Sequence, residues 1–78
     1  MAFTVRCEWD ADANVWYVED SDVPGLAAEA PTIEAMEQLL TRRVPELLKL
    51  NMPELAQRHT REPPSFDLFT RHRLAIAC

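Results

Sequence analysis

Between residues 33 and 50, Ile33, Met36, Leu40, Val44, Leu47 and Leu48 recur so that, at 100° per residue, they share an arc of about 120°. This is the one long apolar stripe of helical period in the chain, and a lone amphipathic helix needs a sheet to bury its face. Thr32 supplies a side-chain oxygen suited to the helix N-cap, and Glu34 and Glu37 follow near the positive end of the helix dipole. Pro45 lies inside the segment on its polar face, where it removes a backbone donor and clashes with the carbonyl of Thr41. The pattern predicts one kinked helix over residues 33–50, ended by Asn51 and Pro53. Leu39 and Leu50 fall off the stripe on the flank that carries Arg43. They either complete burial at the sheet margin or, with Arg43, form a contact surface.

The rest of the chain supplies the strands. Phe3, Val5, Cys7 and Trp9 alternate with Thr4, Arg6 and Glu8, the pattern of a half-buried strand. Asp10-Ala11-Asp12-Ala13-Asn14 is turn chemistry, and residues 15–19 are β-branched or aromatic enough for a second strand, giving a hairpin. After Asp20-Ser21-Asp22, Pro24-Gly25 fits a type II turn with glycine at its third position. A short third strand is expected over residues 26–29, starting near Gly25. Beyond the helix, residues 54–59 suit a short helical piece and residues 61–64 a linker. Residues 65–77 alternate again, with Phe66, Leu68, Thr70, His72, Leu74 and Ile76 on one face of a long last strand. The expected class is α+β in one domain: a three-stranded antiparallel meander, one kinked helix and a final strand, βββαβ. The sheet face away from the helix must be polar or covered by a second copy.

Seventy-eight residues bury only about 60% of the surface that the unfolded chain exposes, so the core needs help from a disulfide, a metal or association. Cys7 and Cys78 are the two cysteines, one inside a strand and one at the terminus. No apolar stretch after Met1 is long enough for export or membrane spanning, so a cytoplasmic protein with free thiols is expected, with no membrane association. His59 and His72 are far apart and neither cysteine sits in a metal-binding pair, so no metal or other cofactor is expected. Association remains, as a homodimer or tetramer, with a partner, or both.

Charge is unevenly divided. Residues 1–40 carry nine carboxylates against Arg6 alone, whereas residues 41–78 carry seven Lys and Arg against four carboxylates. An acidic front half repels phosphate backbones; it is either a plain solvated surface, the reading charge alone favours, or one suited to a basic protein partner. Asp10 and Asp12 fall in the hairpin loop, while Asp20 and Asp22 fall at the far end of the second strand. The four therefore do not converge as two-metal chemistry requires, and turn formation explains them without catalysis. Ser21, Ser65 and Cys7 lack a nucleophile motif, and with Gly25 as the one glycine no phosphate-binding glycine loop is possible. No catalytic residues are expected. Phe69, Arg71 and Arg73 bring aromatic and basic groups together on the last strand, the one handle for a nucleic acid. Few charges and an acidic front half weigh against direct binding there.

Three stretches together carry a resemblance: Glu8-Trp9-Asp10-Ala11-Asp12-Ala13-Asn14-Val15-Trp16; Ser21-Asp22-Val23-Pro24-Gly25-Leu26 with Glu29-Ala30 and Thr32; and Pro45-Glu46-Leu47-Leu48 with Asn51. Over about residues 3–51 the chain resembles a small bacterial branch grouped with the HicB-like antitoxins. The resemblance implies a partly degraded RNase H-like fold, neutralisation of a small basic HicA-like, RNA-cleaving toxin by direct binding, and dimers or tetramers. Many members of that family append a segment for operator DNA; none is legible here, so operator binding is not expected of this chain. On this reading the partner contacts are Asp10, Asp12, Asp20 and Asp22, the indole of Trp16 as an anchor, and the Leu39–Arg43 flank. Trp9, on the apolar side of its strand, is expected to pack in the core. The rival reading is an orphan homo-oligomeric nucleic-acid-binding module using Phe69, Arg71 and Arg73.

Overall fold

The structure, a computed structural model, describes residues 2–54 and 64–77. Among the described residues the elements follow in the order β1 (Ala2–Asp10), β2 (Val15–Ser21), β3 (Glu29–Ala30), α1 (Ile33–Asn51) and β4 (Ser65–Arg71). The strands form a single sheet with the order β3-β2-β1-β4. β1 is antiparallel to β2, β2 is antiparallel to β3, and β4 joins the other side of β1 in parallel. The molecule is therefore a mixed α+β domain with one helix on one sheet. The helical piece expected at residues 54–59 and the linker at 61–64 lie outside the described residues except for Glu54 and Pro64; so do His59 and Cys78.

β1 alternates as its sequence requires. Phe3, Val5 and Cys7 are buried, whereas Arg6 between them is exposed. Asp10 then makes the turn: its Oδ1 accepts the N–H groups of Asp12 at 3.0 Å and Ala13 at 3.2 Å. Asn14 closes the loop at φ 57°, a left-handed conformation that asparagine tolerates, and donates its N–H to the Asp10 carbonyl at 2.8 Å. In the β1–β2 ladder Cys7 faces Val18 and Arg6 faces Asp20, so Glu19 is skipped in a β-bulge. The second strand thus runs to Ser21, two residues past its expected end.

Val23 is buried, and the following turn has the expected form. Leu26 N–H donates to the Val23 carbonyl at 3.3 Å and Gly25 has φ +75°. A Cβ built on Gly25 would stay 3.8 Å from Leu47 Cδ2, so the dihedral, and not lack of space, calls for glycine. Asn51 ties this turn to the helix end, donating from Nδ2 to the carbonyls of Pro24 at 3.4 Å and Leu47 at 3.1 Å.

The third strand is shorter and later than expected, Glu29–Ala30 instead of residues 26–29. Its ladder with Trp16 and Tyr17 is extended by one bond, from Val18 N–H to the Ala28 carbonyl at 3.1 Å. Beyond Val18 the partner strand carries the bulge, and Leu26 instead packs against the core.

α1 begins where Thr32 Oγ1 accepts the N–H of Ala35 at 3.0 Å. It runs one residue past the expected end, and Met52 N–H caps the Leu48 carbonyl at 2.8 Å. Met36, Leu40, Val44 and Leu48 are buried against the sheet, with Ile33 and Leu47 half-buried beside them. Pro45 is exposed, so water can reach the carbonyl its ring leaves without a donor.

β4 differs most from expectation. It ends at Arg71, and the remainder of the segment expected as strand, residues 72–77, is unpaired and exposed. Phe66 and Leu68 pack against the core as their alternation predicts, but Leu74 is 72% and Ile76 88% exposed. The cause is the neighbour. Glu8 pairs with Arg71, and only Trp9 and Asp10 remain before β1 turns into its loop.

Candidate functional site

Two side chains of the acidic set build the fold. Asp10 holds the hairpin loop through the two bonds described above, and Asp22 Oδ1 accepts the N–H of Thr4 at 2.8 Å. Between them Ser21 Oγ accepts the Val23 N–H at 2.9 Å and shapes the second turn. Asp12 and Asp20 are exposed. Because Asp10 pairs with Val15 and Arg6 with Asp20, the two acidic pairs lie toward opposite ends of the β1–β2 ladder, as the hairpin reading requires. Among the described residues no group of three or more His, Cys, Asp or Glu side chains is placed to hold a metal ion.

Trp16 stands directly opposite Trp9, with ring centroids 5.4 Å apart at 63°. His72 sits against both, its centroid 5.3 Å from Trp9 and 5.4 Å from Trp16. Both indoles are half-buried, and Trp16 also packs on the core. The expectation of a core Trp9 and an anchor Trp16 thus resolves into one three-ring cluster at the loop end of the sheet. Sequence reasoning missed it. The hairpin register pairs the two indoles, but the imidazole arrives through the parallel β1–β4 register, which no local pattern encodes.

The opposite face of the sheet is polar. Glu8 is central there: Oε2 accepts from the Tyr17 hydroxyl at 3.3 Å, and Oε1 meets Arg71 Nη1 at 3.4 Å. Arg71 remains 64% exposed, so this pair contributes under about 1 kcal/mol. Burial, then the charge of Glu8 and the hydrogen bond to it, hold the Tyr17 phenol above its ordinary range. Phe69 is exposed, with the Arg6 guanidinium 5.7 Å from its ring centroid. Arg73 lies beyond the strand and borders an open, shallow depression with Glu8, Trp9 and Arg71. Two members of the basic-aromatic group expected on the last strand thus share one face. Phe69 and Arg71 sit on the polar face, Arg71 already engaged by Glu8, and His72 turns to the tryptophans.

On the helix Leu39 is half-buried, while Arg43 and Leu50 are exposed, Leu50 by 78%. The flank is thus split, with Leu39 contributing to burial and Leu50 left in solvent. Cys7 is a buried thiol whose pKa is raised by burial, which makes it a poor nucleophile.

Comparison with known proteins adds a relationship without an activity. The family model described as "Domain of unknown function (DUF1902)" matches residues 2–76. The crystal structure of a hypothetical protein from the extremely thermophilic bacterium Thermus thermophilus is similar, with 36% sequence identity and a TM-score of 0.77. That match covers 97% of this chain and all of the other. No curated protein matches.

Proposed function

The chain belongs to the DUF1902 family, and from that premise we propose that it is an antitoxin-like binding protein, not an enzyme, that neutralises a small basic RNA-cleaving protein by direct contact. The observation that carries this reading is the exposure of Asp12 and Asp20 at the two ends of the hairpin, in a front half that holds nine carboxylates against one arginine. Such a surface attracts a cationic protein and repels nucleic acid. The sheet order with a parallel last strand is compatible with the degraded RNase H-like, HicB-like fold that the resemblance implies. Trp16, Leu39 and Arg43 are the contacts added to the acidic ones. No helix among the described residues is long and apolar enough to cross a membrane, and we place the protein in the cytoplasm, where such a toxin acts.

The test is capture of the tagged full chain from its native host, followed by identification of what it retains. The expected result is a small basic protein whose RNA cleavage stops when stoichiometric chain is added. Recovery of self-oligomer alone would overturn the reading. Recovery of RNA or DNA would move function to Phe69, Arg71 and Arg73.

A further inference from the structure

β4 has β1 on one side, and its other edge is free among the described residues. A free edge presents unpaired N–H and C=O groups and is a template for another strand. Residues 72–77 continue the two-residue period of β4, yet from residue 74 onward they have run past the end of β1 in this register and carry Leu74 and Ile76 into solvent. The molecule is long, 55 Å against 20 and 18 Å, with a radius of gyration of 14.5 Å. A compact chain of this length has about 11.5 Å. An apolar strand-like arm and a free strand edge on one continuous segment are complementary to a second copy of themselves.

We propose that two copies of the chain associate through the free edges of β4, antiparallel about a twofold axis at Thr70, so that residues 72–75 of each copy lie along β4 of the other. This rests on the fold alone and stands whether or not the binding partner proposed above exists. An axis perpendicular to the sheet keeps each side chain on its own face, so facing residues share parity and the axis passes through a residue. Charge selects which residue. An axis at Thr70 sets Phe66 opposite Leu74 and Leu68 opposite His72 on the core face. On the polar face it sets Asp67 opposite Arg73 and Phe69 opposite Arg71, an ion pair and a cation–π pair, each made twice. Moving the axis to Arg71 would set that guanidinium against its own copy, and moving it to His72 would set Arg71 against Arg73; like charges directly opposite are destabilising. Moving it to Phe69 would leave Leu74 opposite position 64, beyond β4, where the Thr70 axis sets it against Phe66.

The experiment uses the full chain in sedimentation equilibrium at micromolar concentration. The expected mass is twice the 9.0 kDa of one chain. Leu74→Lys with Ile76→Lys is expected to return a single-chain mass with unchanged far-UV circular dichroism, because both side chains are exposed within their own chain. Asp67→Arg is expected to weaken the dimer about tenfold, and adding Arg73→Asp to restore it. In a Cys78→Ser background, Thr70→Cys is expected to cross-link two chains under mild oxidation and Asp12→Cys is not. A single-chain mass for the unaltered protein, or a dimer that survives the double lysine variant, overturns the proposal. Failure of both the charge exchange and the Thr70 cross-link overturns its register.

Discussion

Asp22 joins the end of β2 to Thr4 twice: its carboxylate accepts the Thr4 N–H at 2.8 Å, and its own N–H donates to the Thr4 carbonyl at 3.3 Å. The side chain thus prolongs a ladder that the bulge at Glu19 has just put out of step. Asp22→Ala is expected to cost about 1.5–2 kcal/mol, the lower part of the range for a hydrogen bond to a charged group. Asp22→Asn, which keeps an acceptor oxygen, should cost less. Urea denaturation of both variants decides this; equal losses would mean that charge, and not the bond, is what Asp22 supplies.

Asp10 and Asp22 are engaged in the fold, so the acidic surface is best tested through Asp12 and Asp20. With a basic protein partner, Asp12→Lys plus Asp20→Lys is expected to lower the association rate about tenfold at low salt, with little change in dissociation. The rate should also depend less on ionic strength than that of the unaltered chain. Stopped-flow association across a salt series would show it. An unchanged rate would remove both residues from the interface.

Cys7 links stability to alkaline pH. Burial raises its pKa in the folded state, so the folded chain holds the proton more tightly than the unfolded one. That contribution is fully present below the unfolded value, about 8.5, and is lost as pH rises above it. Unfolding free energy should therefore fall as pH rises from the unfolded value toward the raised folded one, by at most about 1.4 kcal/mol per pH unit. In Cys7→Ala, destabilised overall by its smaller side chain, the slope should flatten. Tyr17, also raised, acts in the same direction nearer pH 10.

His72 covers two half-buried indoles without a ladder bond of its own. His72→Ala is expected to open Trp9 and Trp16 to water, giving a red shift of the emission and greater quenching by acrylamide. A small loss of stability, about 1 kcal/mol, should accompany it. Unaltered emission would mean that the imidazole leaves the cluster in solution.

Local chemistry made much of this structure readable in advance. The alternation of Phe3, Val5 and Cys7, the Thr32 cap, the stripe from Met36 to Leu48 and the Pro24-Gly25 turn each depend on residues a few positions apart, and each is present. What depends on a distant neighbour was not readable. β3 starts late because β2 bulges at Glu19, and β4 cannot pair far beyond Arg71 because β1 turns two residues after Glu8, at Asp10. The site follows the same division. The turn-building role of Asp10 is written in its loop and the alternation of β4 puts His72 and Arg71 on opposite faces, whereas the meeting of His72 with Trp9 and of Arg71 with Glu8 depends on a parallel register with a strand 63 positions away.

That register also bears on how the chain is made. β1 leaves the ribosome well before β4, and it is internal in the finished sheet, yet one of its two neighbours is β4. Until residues 65–71 have been synthesised, the edge of β1 that will receive them is open, with Phe3 and Val5 beside it. The hairpin and helix can form early from near contacts, but closure must wait for the most sequence-distant pairing in the sheet, the kind that slows folding and exposes intermediates to aggregation. A ribosome that stalls before β4 would hold out a partial sheet with a sticky, unfinished side, so the protein's vulnerable period is its birth.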